Sequence, residues 1–223
     1  MKSKFLPFEI LYEDRDLIAI DKPEGLLTTH TALVGRAARE AQLTAENLLT
    51  AYVRKGQLKS SKRVYLVHRL DRDTSGVMIF AKREDFSEAL RERWNELTEK
   101  TYLARVEGEL TEQSGEFVSY LKDDPKTMKV RSVALPREGK LARTEWKALS
   151  VSRGTTLVSV ALKSGRKNQI RVHFSEAGHP VVGDVKYGAK KADRLHLHAS
   201  RLVVRNPKTG APLEFTSNPP KGL

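Results

Sequence analysis

His68-Arg69-Leu70-Asp71-Arg72-Asp73-Thr74-Ser75-Gly76 gathers a histidine, two arginines, two aspartates and two hydroxyls into one short stretch. A carboxylate in such company can act as a nucleophile, a general base or a metal ligand. Asp71 lies three residues past His68 and has Arg69 and Arg72 close by, so negative charge on it has cationic neighbours. The stretch separates two β-prone runs, residues 64–67 and 77–81. Polar groups concentrated on a loop held by strands are a functional sign. A lone loop aspartate is ordinarily a turn former or a surface charge; the surroundings of Asp71 are what set it apart. Asp73 reads as structural, bonding the hydroxyls or amides of Thr74 and Ser75.

A second polar cluster runs from Lys163 to His173 and joins a strand to a helix. Glycine loops and helix N-termini bind anions through backbone N–H groups, and Arg166 and Lys167 add charge. A solvated basic face has the same composition. In the helix, Ile170, Phe174 and Ala177 form the expected buried stripe. Arg171 falls beside it, where an arginine commonly needs a carboxylate partner. A third cluster, Gly178 to Gly188, has the glycines and proline of tight turns, with no purpose evident from its residues. His173 and His179 are six apart, and His196 and His198 are two apart. Neither spacing matches a zinc-binding pattern, and no metal site is expected. Phosphate-loop, dinucleotide and nucleophile-elbow signatures are absent.

The elements that must position these groups are mostly strands. Residues 8–21 read as a hairpin around Glu13–Asp16, followed by a stretch rich in Thr, His and Gly at 28–35. Helices are predicted at 44–55, with Gly56 as the C-terminal cap, at 83–97, with Trp94 in the core, and at 168–177. Residues 100–109 alternate as a strand, with Tyr102, Ala104 and Val106 on one face. Further hairpins are expected at 116–135 and 143–162, and strands at 195–204 and 213–215. The pattern is α+β, with a mixed or antiparallel central sheet and flanking helices and loops. Residues 1–223 read as a single catalytic domain.

The chain has 223 residues and a formal net charge of +12, with 40 Lys and Arg against 28 Asp and Glu. That surplus favours a polyanionic partner: nucleic acid first, a membrane surface second. The absence of cysteine excludes disulfides, thiolate zinc sites and cysteine nucleophiles. Residues 1–9 lack the apolar run of a signal peptide, and no segment has the length of a membrane span. The expected compartment is the cytoplasm.

Taken in order, the polar blocks resemble the RluA-like family of RNA pseudouridine synthases. The resemblance runs through residues 11–14 and 18–26, the HRLDRDTSG loop at 68–76, Lys100-Thr101-Tyr102, residues 164–173, Gly178-His179-Pro180 with 183–188, and Leu197-His198-Ala199. It implies that family's fold, with a bent sheet, and isomerisation of uridine in RNA. The C1′–N1 bond breaks, the uracil turns, and C1′ joins C5, a reaction that needs no cofactor. It places Asp71 on the catalytic aspartate, Tyr102 on the tyrosine that packs against the target base, and Arg171 on the arginine that pairs with the aspartate. Arg69 falls on the arginine beside the opened RNA stack. Arg72, Arg166 and Lys167 are the further candidates for RNA contact. Ser164 and Asn168 stand where threonine and histidine are frequent. The opening hairpin starts by about residue 9, so a short form without the S4-type RNA-binding domain is expected. The resemblance leaves open whether Asp71 attacks the sugar or acts there as a base. The expected substrate is a stem-loop of ribosomal or transfer RNA, and the expected state is a monomer. Two rival readings are a noncatalytic RNA-binding module on the same scaffold and a metal-dependent phosphodiesterase using His68, Asp71 and Asp73.

Overall fold

The computed structural model describes residues 6–30, 42–57 and 59–223. The first residues of the N-terminal segment, and residues 31–35 of the Thr-, His- and Gly-rich stretch, lie outside the described residues. The chain divides into two compact units, Met1–Thr98 with Leu202–Ser217, and Glu99–Arg201 with Asn218–Leu223.

In the first unit, β1 (Glu9–Glu13) and β2 (Leu17–Lys22) form the expected antiparallel hairpin. Asp14 shapes its turn: one carboxylate oxygen accepts the N–H groups of Asp16 and Leu17, at 2.7 and 2.8 Å. Leu17 to Ile20 are all buried, so β2 is covered on both faces. The first helix, α1 (Ala45–Arg54), starts at Thr44, whose hydroxyl accepts the Asn47 N–H at 3.1 Å. At its other end Lys55 already takes the left-handed conformation, with φ of 50°, one residue before Gly56. Two strands, β3 (Tyr65–Leu66) and β4 (Ser75–Ala81), flank the Asp71 loop. Every residue of β4 is buried, and it pairs with β2 from Leu17↔Ala81 to Lys22↔Gly76.

The helix expected at 83–97 is two helices, α2 (Glu84–Glu92) and α3 (Trp94–Leu97), separated at Arg93. Phe86 and Leu90, one turn apart on α2, are fully buried, each contributing roughly 1.5–3 kcal/mol. Despite the break at Arg93, Trp94 packs against the core cluster that holds Phe86, Leu90 and Leu97, as expected. It is half-buried and stacks on His68, with ring centroids 4.6 Å apart.

The strand β5 (Thr98–Glu107), which lies in the second unit from Glu99 on, buries Tyr102, Ala104 and Val106 on one face, as its alternation predicts. Two hairpins follow: β6 (Ser114–Asp124) with β7 (Lys129–Val133), and β8 (Lys140–Ser152) with β9 (Thr155–Leu162). A 3-10 turn, Pro136–Glu138, links them. The order is β5-β9-β8-β6-β7, antiparallel throughout. The helix α4 (Gln169–Glu176) is buried at every residue from Gln169 to Phe174, while Ala177 is exposed. The expected single stripe is therefore wrong, because the polar side chains of α4 are internally bonded rather than solvated. The last strands are β10 (Leu197–Arg205), which gives residues 197–201 to this unit and 202–205 to the first, and β11 (Pro212–Thr216), which pairs with it.

Helices flank predominantly antiparallel strands, so the α+β class holds. Among the described residues no helix is long and apolar enough to cross a membrane.

Candidate active site

The Asp71 loop is gripped through its backbone. Lys22, at the end of β2, is fully buried, and its ammonium donates to three carbonyl oxygens: Pro23 and Leu26 at 2.8 Å, and Arg72 at 3.0 Å. Thr28 grips the other side. Its hydroxyl donates to the Leu70 carbonyl at 2.8 Å and accepts the Leu70 N–H at 3.3 Å. The residues on both sides of Asp71 are thus tied to the end of β2 and to the segment that follows it. The Thr74 N–H closes the turn on the Asp71 carbonyl at 3.2 Å. Asp71 itself is half-buried.

Burial pushes the Lys22 ammonium down to about 8, and the negative charges of Asp73, Asp71 and Glu24 act in the opposite direction. Lys22 therefore combines two effects on this loop, three hydrogen bonds and a positive charge within reach of its carboxylates.

The other loop residues take different places. Asp73 does not bond Thr74 or Ser75. It is exposed and lies 3.9 Å from the Arg72 guanidinium. The turn is already closed by backbone bonds, so its carboxylate is not needed there. Arg72 is exposed and donates to the Gly25 carbonyl at 3.2 Å. Arg69 is exposed. His68 turns inward: Nε2 accepts the Ile79 N–H at 3.0 Å while the ring stacks on Trp94. That hydrogen bond occupies the lone pair a metal would need at Nε2 and removes the physical basis for the His68, Asp71, Asp73 reading. Among the described residues no group of three metal-ligating side chains occurs.

In the second unit, Arg171 on α4 is buried and makes a two-pronged bond to Asp184, Nε to Oδ2 at 2.6 Å and Nη2 to Oδ1 at 2.7 Å. Such fork-to-fork pairing fixes the plane of the guanidinium as well as its position. Nη1 donates to the Asn168 side-chain oxygen at 3.1 Å, and the guanidinium lies 5.1 Å from the centre of the Tyr187 ring. Asn168 Nδ2 donates to the Tyr187 hydroxyl at 2.9 Å, and that hydroxyl also accepts the Val130 N–H. The Gly178–Gly188 loop thereby gains a purpose: it presents Asp184 and Tyr187 to Arg171.

The remaining groups of this unit set the base of α4. Gln169 accepts from the Ser164 hydroxyl at 2.8 Å and from the Arg166 N–H at 3.0 Å, so the Arg166 amide serves the helix start rather than an anion. The Arg166 guanidinium donates to the Leu141 carbonyl, and Lys167 pairs with Asp123. Ser164 and Asn168 both have structural work in this chain. His173 is held between Thr144 at 2.8 Å and Ser119 at 2.9 Å, and burial lowers it to about 4. Tyr102 lies on the buried face of β5 opposite Val160. Two residues before it, Lys100 is lowered to about 8, by burial first and by the Arg166 charge second.

Sequence reasoning missed Lys22, Thr28 and Asp184. Lys22 carried one readable signal, a lysine ending a mostly apolar strand just before Pro23 and Gly25.

A family model described as RNA pseudouridylate synthase matches residues 16–176. Similar proteins include the dual-specificity RNA pseudouridine synthase RluA of Vibrio cholerae, 33% identical over 90% of this chain and 78% of its own length. The Yersinia pestis protein of the same name is 32% identical, over 92% and 96%. Ribosomal large subunit pseudouridine synthase C of Buchnera aphidicola is 36% identical, over 96% and 68%. Among solved structures, human RNA pseudouridylate synthase domain containing 4 superposes with a TM-score of 0.75 at 24% identity, covering 95% of this chain and 88% of that one. The corresponding human domain containing 1 gives 0.73 at 20%, covering 98% and 86%. These two likenesses establish the fold.

Proposed function

Because the chain belongs to the RNA pseudouridylate synthase family, we propose that it isomerises particular uridines of ribosomal or transfer RNA, with Asp71 as the carboxylate that acts on the flipped-out nucleotide. Membership makes it an isomerase acting on RNA. The finer reading is supported by the relatives' names, which specify the large ribosomal subunit in one case and dual specificity in another. It is carried by one observation: the peptide groups on both sides of Asp71 are bonded to buried Lys22 and Thr28. A surface aspartate needs no such anchoring, whereas a carboxylate that must meet a sugar carbon does.

In this reading the uridine leaves its stack at a cost of a few kcal/mol. Asp71 acts at C1′ as the C1′–N1 bond breaks. The detached uracil turns and re-forms its bond through C5, and the proton lost from C5 balances the one gained at N1. Tyr102 is the ring on which the uracil rests, worth roughly 1–3 kcal/mol if stacked. Arg171 is the arginine that pairs with the Asp71 carboxylate and orients it, and the fork from Asp184 holds its guanidinium plane. Arg69, Arg72, Arg166 and Lys167 contact the RNA. The enzyme acts as a monomer in the cytoplasm.

The test is a map of pseudouridines in total RNA from cells with and without the gene. Loss of one or a few discrete sites in ribosomal or transfer RNA is expected. Identical maps would refute the assignment.

A further inference from the structure

On the second unit, a cleft of 610 Å³ is lined by the β6–β7 hairpin, the 3-10 turn, the first residue of β8 and the loop leading into α4. Its aliphatic side chains are those of buried Leu121 and Val130. Its charged lining is unbalanced, with five cations against two carboxylates. Lys167 is paired with Asp123. Lys122, Arg137 and Lys140 have no ion-pair partner among the described residues, and Glu138, which also lines the cleft, is bonded to none of them. Gly139 brings Arg137 and Lys140 close to the hairpin. A Cβ there would lie 2.8 Å from Val133 Cγ2 and 2.9 Å from the Tyr120 carbonyl carbon.

Like charges in a concavity repel one another and concentrate anions. A phosphodiester chain supplies negative charges at repeated spacing and relieves that repulsion. No aromatic side chain lines the cleft, so it has no surface on which to stack bases. Contacts to phosphate position a nucleic acid without reading its sequence.

We propose that this cleft holds the sugar–phosphate backbone of the RNA substrate, at nucleotides other than the uridine being isomerised, and adds affinity without sequence preference. The inference rests on the reading above that the substrate is RNA.

The experiment compares the parent chain with the triple variant Lys122→Gln, Arg137→Gln, Lys140→Gln, and with a control, Arg91→Gln, Arg153→Gln, Lys221→Gln, at other exposed cations. Binding of labelled single-stranded polyuridylate and polycytidylate is measured across a salt series, and pseudouridine formation is scored on unmodified ribosomal and transfer RNA transcripts. Three lost phosphate contacts should flatten the slope of log affinity against log salt by about 2, at about 0.7 per contact. Affinity should fall by about tenfold near 0.1 M salt, equally for both polymers, while the control changes less than twofold. If the parent modifies RNA but the cleft variant keeps its affinity and slope, the inference fails and the functional reading stands. Loss confined to one polymer also overturns it, as does displacement of RNA from the parent by polyglutamate of matched charge, which would make the cleft a site for acidic peptide. A parent that modifies none of the transcripts defeats the functional reading and the inference with it.

Discussion

The Asp71 loop and the Arg171 helix both hold a charged side chain in place, by opposite means. Around Asp71 the protein grips peptide groups: Lys22 and Thr28 bond the backbone of Arg72 and Leu70. Around Arg171 it grips the charge itself, with the Asp184 carboxylate on two guanidinium nitrogens. The first arrangement commits a buried cation to a loop whose carboxylates it also influences. The second neutralises a buried cation with a buried anion. Backbone anchoring suits a group whose own atoms must engage a substrate; direct pairing suits one whose orientation matters more than its reactivity.

Breaking the second arrangement should have the larger effect on stability. Asp184→Ala deprives the buried Arg171 of its two-pronged partner and should cost about 3–5 kcal/mol in urea unfolding. If stability held while turnover vanished, Asp184 would belong to the chemistry and the contrast would fail.

Breaking the first should chiefly affect rate. Lys22→Met frees the Arg72 carbonyl and should lower turnover about 100-fold, with RNA affinity within a few-fold, since small misplacements of a reacting group are that costly. The pH dependence sharpens this. Folded Lys22 loses its proton near 8, well below the ordinary 10.5. Parent turnover should therefore decline above about pH 8, a limb that Lys22→Met should lack. Stability should move the other way. Between 8 and 10.5 the unfolded chain binds a proton that the folded chain does not, so the Lys22 contribution to stability rises with pH. Thr28→Val removes only the paired hydroxyl bonds. It should cost about 1 kcal/mol of stability and roughly tenfold in turnover, again by misplacing the loop.

A further effect, confined to acid pH, is expected at His173, where burial holds the folded value near 4 against an ordinary 6.5, opposed by the Glu176 charge. As pH falls from 6.5 towards 4, the unfolded chain takes up a proton that the folded chain refuses. Its share of the stability is complete above 6.5 and declines through that window. A thermal-melt series should show the decline in the parent and less of it in His173→Gln.

What was legible in the chain was local. The β1–β2 hairpin, the alternation of β5 and the polar density around Asp71 depend on near neighbours and period. The unread features are contacts across long sequence separations. Lys22 meets Arg72 fifty residues on, and Thr28 meets Leu70 at forty-two. Arg171 finds Asp184 thirteen residues away, through a turn whose geometry periodicity does not encode. The all-round burial of α4 escaped for a related reason. Gln169 and His173 look solvent-facing until Thr144 and Ser119 are seen to satisfy them, and the need of Arg171 for a carboxylate was legible while its partner Asp184 was not.

The most direct measurement is pseudouridine formation by Asp71→Asn, beside its RNA affinity. The change is nearly isosteric, and the loop is anchored through neighbouring peptide groups, so the variant should fold with the parent's melting behaviour. Turnover should become undetectable on a transcript that the parent modifies, while the dissociation constant stays within a few-fold. A well-folded Asp71→Asn enzyme with the parent's turnover would contradict the account.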